Sequence, residues 1–202
     1  MREKRLTRTF YRQSSLTLAK GLLGKYLHRV YAGTMLVGKI VETEAYGMRD
    51  PASHSFKGRT PRTEVMFGDG GFSYVYFTYG MHHCFNVTGS VEGNAEAVLI
   101  RAVEPIAGRG VMQTLRGALK REQDLTNGPG KLCQAFGITR QENRIDLVDS
   151  EELYLTTGEQ VPDSEIANST RIGISVAMEE PWRFFIKNNP YVSKGKPSGT
   201  KL

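Results

Sequence analysis

Residues 40–46, Ile-Val-Glu-Thr-Glu-Ala-Tyr, constrain this chain more than any other segment. Strand side chains alternate between faces, so Glu42, Glu44 and Tyr46 are expected on one side, with Val41, Thr43 and Ala45 on the other. Carboxylates are poor strand formers and costly to bury without partners. A fold containing this strand must bring a cation to it or open a site over it. The segment Ala97-Val98-Leu99-Ile100-Arg101-Ala102-Val103 supplies the matching anomaly, an arginine inside an apolar strand. Arginine does not shed its charge, so Arg101 needs an anion, and Glu44 or Glu42 on a neighbouring strand is the candidate. Two readings follow. The pair is structural, or Arg101 holds a carboxylate ionised where it can polarise a water.

The rest of the chain reads as more strands around this one. Residues 35–46 form one long strand, and residues 47–71 form a loop rich in turn signals. Residues 72–78, 84–88 and 95–103 read as three strands joined by glycine-bearing turns, hence hairpins. Shorter strands are expected near 153–156, 171–177 and 183–186. Ser14 or Ser15 caps a helix through Leu16, Leu22 and Leu23 that ends near Gly24. Val111, Met112, Leu115 and Leu119 share one face of a second helix, and a third runs from Lys131 to about Phe136. Strands cluster instead of alternating with helices, which predicts an α+β fold with a largely antiparallel sheet. At 202 residues the chain is of single-domain size. The domain is expected over 1–193. Residues 194–202, rich in Gly, Ser, Lys and Pro, are expected to form a disordered basic tail.

Several function classes fall away. No apolar run reaches the length of a membrane span, and the N-terminus lacks the apolar stretch of a secretory signal. The expectation is a cytoplasmic protein, or a nuclear one in a eukaryote, with no membrane partner. Cys84 and Cys133 stand in unrelated contexts and are expected to be reduced thiols. His28, His54, His82 and His83 have no metal-ligand spacing, and no HxE…PCxxC pattern marks a zinc deaminase. No GxGxxG opens a helix, so a dinucleotide fold is disfavoured, and no metal or other cofactor is expected.

Charge is uneven. Of the formal +6, residues 1–30 carry eight Lys/Arg against one Glu. Residues 146–165 hold seven acids and no base, and residues 183–202 hold five bases and no acid. Such asymmetry suits a polyanion held on one face, or simply a solubilising surface with basic ends. Tyr74 and Tyr76 share one face of an aromatic strand, opposite Val75 and Phe77. They fill a core or form a ligand platform. Tyr79 falls at a glycine turn beside Met81, where an aromatic can wedge into a base stack, and Tyr46 and Tyr76 can wall one planar ring. Asn127-Gly-Pro-Gly-Lys131 lacks the spacing of a nucleotide-binding loop. It either presents Lys131 and a helix N-terminus to a backbone phosphate or is an ordinary turn.

Taken together, the motifs carry a resemblance. Val41-Glu42-Thr43-Glu44-Ala45-Tyr46, Ala52-Ser53-His54, Tyr74-Val75-Tyr76, Tyr79-Gly80-Met81 and Cys84 to Asn86 occur in that order. Leu99-Ile100-Arg101-Ala102, Glu104-Pro105, Gly128-Pro129 and Lys131-Leu132-Cys133-Gln134 follow. From about Leu16 to Ser193 the chain resembles the alkyladenine (3-methyladenine) DNA glycosylase family, in its minimal, bacterial type. The loop from Tyr46 to His54 is one residue shorter than in animal members, and their long N-terminal extension is absent.

The resemblance implies a compact single domain around a curved antiparallel sheet with short helices. It implies a monomeric, monofunctional hydrolase of base excision repair without lyase activity. Its partner would be double-stranded DNA containing a damaged purine. Glu44 would activate water with Arg101, and Tyr46 and Tyr76 would stack on the flipped base. His54 would pack on that base and offer its backbone N–H, and Asn86 would crowd a guanine 2-amino group. Tyr79 would fill the vacated stack with Met81 beside it. The alternative is a non-catalytic duplex-DNA lesion sensor using the same pocket, which leaves the Glu44–Arg101 pair without a task.

Overall fold

A computed structural model describes residues 4–78 and 80–199. Among the described residues eight strands form one sheet: β1 (Tyr26–Tyr31), β2 (Thr34–Tyr46), β3 (Ser73–Thr78), β4 (His82–Gly89), β5 (Glu96–Ala107), β6 (Leu153–Thr156), β7 (Ile166–Ser169) and β8 (Arg183–Ile186). The helices are short: α1 (Arg8–Tyr11), α2 (Ser15–Leu22), α3 (Arg109–Arg116) and α4 (Pro129–Ala135). The α+β expectation holds, with every strand pair antiparallel.

β2 organises the sheet. Along one edge it pairs with β5 from Val37 to Tyr46. Along the other it pairs with β1 in its first half and with β8 across Glu42–Glu44. The β2–β5 register shifts at Val37/Gly38 and on both sides of Glu42. Bulges add local twist and bend a strand, and the sheet accordingly curls into a half-barrel. Gly38 serves the first shift, because a Cβ there would lie 2.7 Å from Val103.

The shifts around Glu42 also correct one detail of simple alternation. Val41 does not join Ala45 in the main core but packs in a separate cluster with Ala102 and Tyr191. Ile40 keeps its place in the main core, so Val41 and Glu42 together occupy one step of the pleat.

The main core lies between the other face of the sheet and the helices. Ser14 caps α2 by accepting from the Thr17 N–H at 3.3 Å, and α2 buries Leu18, Ala19 and Leu22. Thr43 fastens that helix to β2 by donating its hydroxyl to the Ala19 carbonyl at 2.9 Å. α4 starts with Pro129, where a missing N–H costs nothing, and buries Leu132, Cys133 and Ala135 against Phe85, Ile100 and Val103. Each fully buried leucine contributes roughly 1.5–3 kcal/mol, so Leu18→Ala would cost ~2–5 kcal/mol with its cavity term. Cys84 and Cys133 are free and buried.

Two placements differ from expectation. Residues 171–177, expected as a strand, are irregular, and the strand lies just before them as β7. Sequence alternation does not mark β1, because His28 and Arg29 interrupt it. Both are nevertheless buried, His28 beside the Thr156 hydroxyl at 2.9 Å and Arg29 on Glu142 at 2.8 Å. Much of the N-terminal positive charge is met internally. Arg8 pairs with Asp146 at 2.5 Å, Arg12 with Asp69 at 2.7 Å, and Arg5 donates to the Val148 and Ser150 carbonyls. Near the C-terminus, Ser198 donates its N–H to the Arg171 carbonyl at 2.7 Å and accepts from the Thr170 hydroxyl at 2.8 Å.

Candidate active site

The face of the sheet turned away from the main core carries Glu42, Glu44, Tyr46, Tyr74, Tyr76, Asn86, Leu99 and Arg101. Its register explains the grouping, since Glu44 and Asn86 both stand opposite Leu99 on β5. Tyr74 in turn stands opposite Asn86. Over this face opens a cavity of ≈ 580 Å³, walled by the loops 51–57 and 172–176. Tyr46, His54, Tyr76, Asn86 and Arg101 all line it, so most of the sequence-proposed residues converge on one place.

Arg101 joins the two carboxylates. Its Nε donates to Glu42 Oε1 at 2.9 Å, and its Nη1 lies 3.2 Å from Glu44 Oε2. Burial alone would lower its pKa, but the charges of Glu44 and Glu42 outweigh that and raise it. Glu44 is fully buried directly behind the lining residues Tyr46 and Arg101. Its Oε2 also accepts the Tyr46 hydroxyl at 2.9 Å, and its Oε1 accepts the Ile172 N–H at 2.8 Å. Burial and then the Glu44 charge push the Tyr46 phenol well above its ordinary pKa, so it stays a donor.

The aromatic wall is built from β3 and the 47–58 loop. Tyr74 and Tyr76 have ring centres 5.4 Å apart, and the His54 ring stands edge-on to Tyr76 at 4.6 Å. A hydrogen bond of 2.8 Å joins His54 Nδ1 and the Tyr74 hydroxyl. Desolvation by these rings, and then the nearby Arg62 charge, lowers the His54 pKa to about 4. The imidazole is therefore neutral at neutral pH. Burial also raises the Tyr76 phenol, with the Cys84 thiol its next influence. Asn86 donates its side-chain amide to the Tyr74 carbonyl at 2.9 Å, which fixes its orientation at the cavity floor.

The remaining candidates lie elsewhere. Met81 projects from the β3–β4 turn, 69% exposed, next to Gly80 with its φ of +67°. Tyr79 lies outside the described residues. Lys131 is not on the cavity lining. Its ammonium donates to Asp124 at 2.9 Å and Asn127 at 2.7 Å, while the neighbouring Pro129 forms part of the rim. No cluster of three or more His, Cys, Asp or Glu stands ready for a metal among the described residues. No helix among them is long and apolar enough to cross a membrane.

Sequence reasoning also missed residues. Arg62 sits at the mouth with its guanidinium 5.2 Å from the Tyr76 ring centre. Tyr74 was legible only as the same-face neighbour of Tyr76, and its bond to His54 spans 20 residues. Arg171 and Asp50 form a fully buried pair behind Tyr46. Neither position follows a pattern that singles it out.

A buried carboxylate flanked by an arginine and a phenol, beneath a slot of aromatic rings, can hold a planar group and activate a water beside it. Comparisons with known proteins identify the family. The family model described as methylpurine-DNA glycosylase matches residues 9–190. A protein of Carboxydothermus hydrogenoformans is 53% identical over 189 residues, covering 94% of this chain and 98% of its own. One from Clostridium botulinum is 47% identical over 201 residues, with 94% and 98% covered. One from Myxococcus xanthus is 45% identical over 200 residues, with 97% of both covered. All three bear the name "Putative 3-methyladenine DNA glycosylase". Similarity of this depth along nearly the whole length makes the chain a member of the methylpurine-DNA glycosylase family, enzymes of DNA base excision repair.

Proposed function

We propose that the chain is a monofunctional glycosylase, acting as a monomer on duplex DNA, that flips out a damaged purine and hydrolyses its N-glycosidic bond. The observation that carries this reading is Glu44, held by Arg101, Tyr46 and the Ile172 N–H directly behind the aromatic cavity. Tyr46 on one side and Tyr76 with His54 on the other hold the base. Asn86 lies at the floor, where it discriminates by size against an exocyclic 2-amino group. Met81, exposed on its turn, and Tyr79 occupy the gap left in the stack. Lys131 meets a backbone phosphate only by exchanging Asp124, its present partner.

Glu44 Oε1 accepts one protein hydrogen bond and has a lone pair left for a water. As the bond from C1′ to the purine nitrogen breaks, its electron pair leaves with the base, and positive charge builds on the sugar. Glu44 stabilises that charge and takes the proton of the water whose oxygen bonds to C1′. The products are an abasic site and a purine, which leaves neutral if it was cationic and, if it was neutral, leaves as an anion that takes up a proton equivalent to the one Glu44 received. Damaged purines carrying positive charge depart easily and need mainly to be held. A neutral base such as hypoxanthine needs the carboxylate more.

The test is single-turnover excision from duplexes bearing one hypoxanthine, developed with alkali, alongside release of 3-methyladenine from methylated DNA. Wild-type protein is expected to release both. Glu44→Gln is expected to bind the hypoxanthine duplex and fail to cleave it. Tight lesion binding without release by the wild type would establish the sensor reading instead. Borohydride is expected to trap no covalent adduct; an adduct abolished by Lys57→Ala, the lysine on the cavity rim, would overturn the monofunctional assignment.

A further inference from the structure

Among the described residues Arg171 is the largest side chain with no exposure, and the chemistry above gives it no part. Both terminal nitrogens of its guanidinium are engaged, while its buried Nε has no hydrogen-bond partner. Nη1 donates to the Ala45 carbonyl at 2.9 Å and to Asp50 Oδ2, while Nη2 donates to Asp50 Oδ1 at 3.0 Å and to the Ala177 carbonyl at 3.3 Å. Two aromatic rings lie against the guanidinium, Tyr46 with its centre at 4.7 Å and Trp182 with its centre at 5.0 Å. Asp50 is equally buried and also accepts the Ala52 N–H at 3.0 Å, at the start of the loop that carries His54.

The next residue, Ile172, donates its N–H to Glu44 Oε1. Residues 171 and 172 thus reach the two partners of one hydrogen bond from opposite ends. Arg171 braces the back of the Tyr46 ring, and Ile172 holds the carboxylate that the Tyr46 hydroxyl touches. A bidentate guanidinium–carboxylate pair has a fixed planar geometry, so it transmits position as well as charge.

We propose that Arg171 is a positioning residue for base hydrolysis. Its pair with Asp50 sets Glu44 and Tyr46 relative to each other and fixes the 171–177 loop as a cavity wall. This rests on the reading of Glu44 as the water-activating group. Lysine keeps the charge but not the planar fork, so Arg171→Lys relaxes the placement of both groups while leaving the anion of Asp50 matched.

The discriminating readout is the ratio of two rates, because a general loss of structure lowers both. Arg171→Lys should lower single-turnover hypoxanthine excision by ~10–100-fold, the effect of a misplacement on the order of 1 Å. Release of 3-methyladenine, which leans less on Glu44, should fall by less than about threefold, leaving most of the activation loss on the neutral base. Affinity for a duplex carrying a stable abasic-site analogue should be unchanged. The single tryptophan, Trp182, stacks on the same guanidinium, so its emission should shift in the folded variant.

Equal falls in both rates, or no fall in either, would overturn the proposal. Should Arg171→Lys not fold, Trp182→Leu removes the Trp182 ring alone and must move the same ratio in the same direction; an unmoved ratio is again decisive against it. Glu44→Gln run in parallel separates the two claims. Full hypoxanthine excision by that variant removes the reading beneath the inference. Loss with Glu44→Gln but an unmoved ratio with Arg171→Lys removes the inference alone.

Discussion

Glu42 and Glu44 lie two residues apart on the same face of one strand, and the protein treats them oppositely. Glu42 is plugged. Its Oε1 accepts Arg101 Nε, Arg183 Nε at 2.6 Å and the Ser193 hydroxyl at 2.7 Å, and its Oε2 accepts the Ser193 N–H at 2.7 Å. The C-terminal segment around Tyr191 and Ser193 covers that end of the face. Glu44 has one guanidinium nitrogen, one phenol and one amide, and the residues above it open into the cavity. Residue type and strand position are shared, so the difference lies in what covers each carboxylate. Glu42, shared by two guanidiniums and closed over by the Ser193 segment, is architecture. Glu44, directly behind the cavity wall with a single amide on its Oε1, is the one proposed for chemistry.

The comparison breaks most visibly through activity. Glu44→Gln should lower hypoxanthine excision by ~10²–10⁴-fold, the usual worth of a general base, with little change in unfolding midpoint. Glu42→Ala should do the reverse in kind. Leaving Arg101 and Arg183 without their shared anion should cost ~3–5 kcal/mol in urea unfolding, as for other broken buried pairs. If Glu42→Ala instead abolishes excision in a protein of unaltered stability, the division between the two carboxylates is wrong.

Tyr46→Phe sharpens the Glu44 end. It keeps the stacking ring and removes one hydrogen bond to a charged group, worth ~1.5–3 kcal/mol, so excision should fall about tenfold or more while lesion affinity stays level. An affinity loss matching the rate loss would show that the hydroxyl acts in binding.

The smallest effects are in pH. Burial alone would raise the Glu42 pKa, but Arg101, Arg183 and the Ser193 N–H hold it below the ordinary carboxylate value. Its stabilisation is thus present above the unfolded-state pKa and is lost as pH falls through the depressed one. His54, at the cavity end, is neutral down to about pH 4 in the fold but takes up a proton near 6.5 when unfolded. Between those values the unfolded chain binds more protons, so stability should rise with pH across that window. An NMR titration of the His54 ring should centre near 4 and move upward in Arg62→Ala; a midpoint near 6.5 would mean the ring is open to water.

Much of the fold was legible because periodicity and turn chemistry are local. The capped helix after Ser14, the long strand ending at Tyr46 and the hairpins on either side of β4 all follow from neighbours in sequence. β1 was illegible because its His28 and Arg29 look exposed until Thr156 and Glu142 arrive from more than a hundred residues away. The segment 171–177 misled for a related reason. Its apolar residues line the cavity, so they satisfy no sheet.

By itself the sequence determined the chemistry in hand: two carboxylates and a phenol in phase on one strand, an arginine that had to meet them, and tyrosines at strand spacing nearby. These follow from the two-residue period of a strand and the fixed charge of a guanidinium. Only the tertiary structure decided which carboxylate is spent. Arg183, Ser193 and Ile172 reach β2 from 128 to 151 residues away, and no local pattern encodes which oxygen they find. The same holds for Arg171 behind Tyr46. A buried charge declares its partner only when long-range folding has closed the space around it.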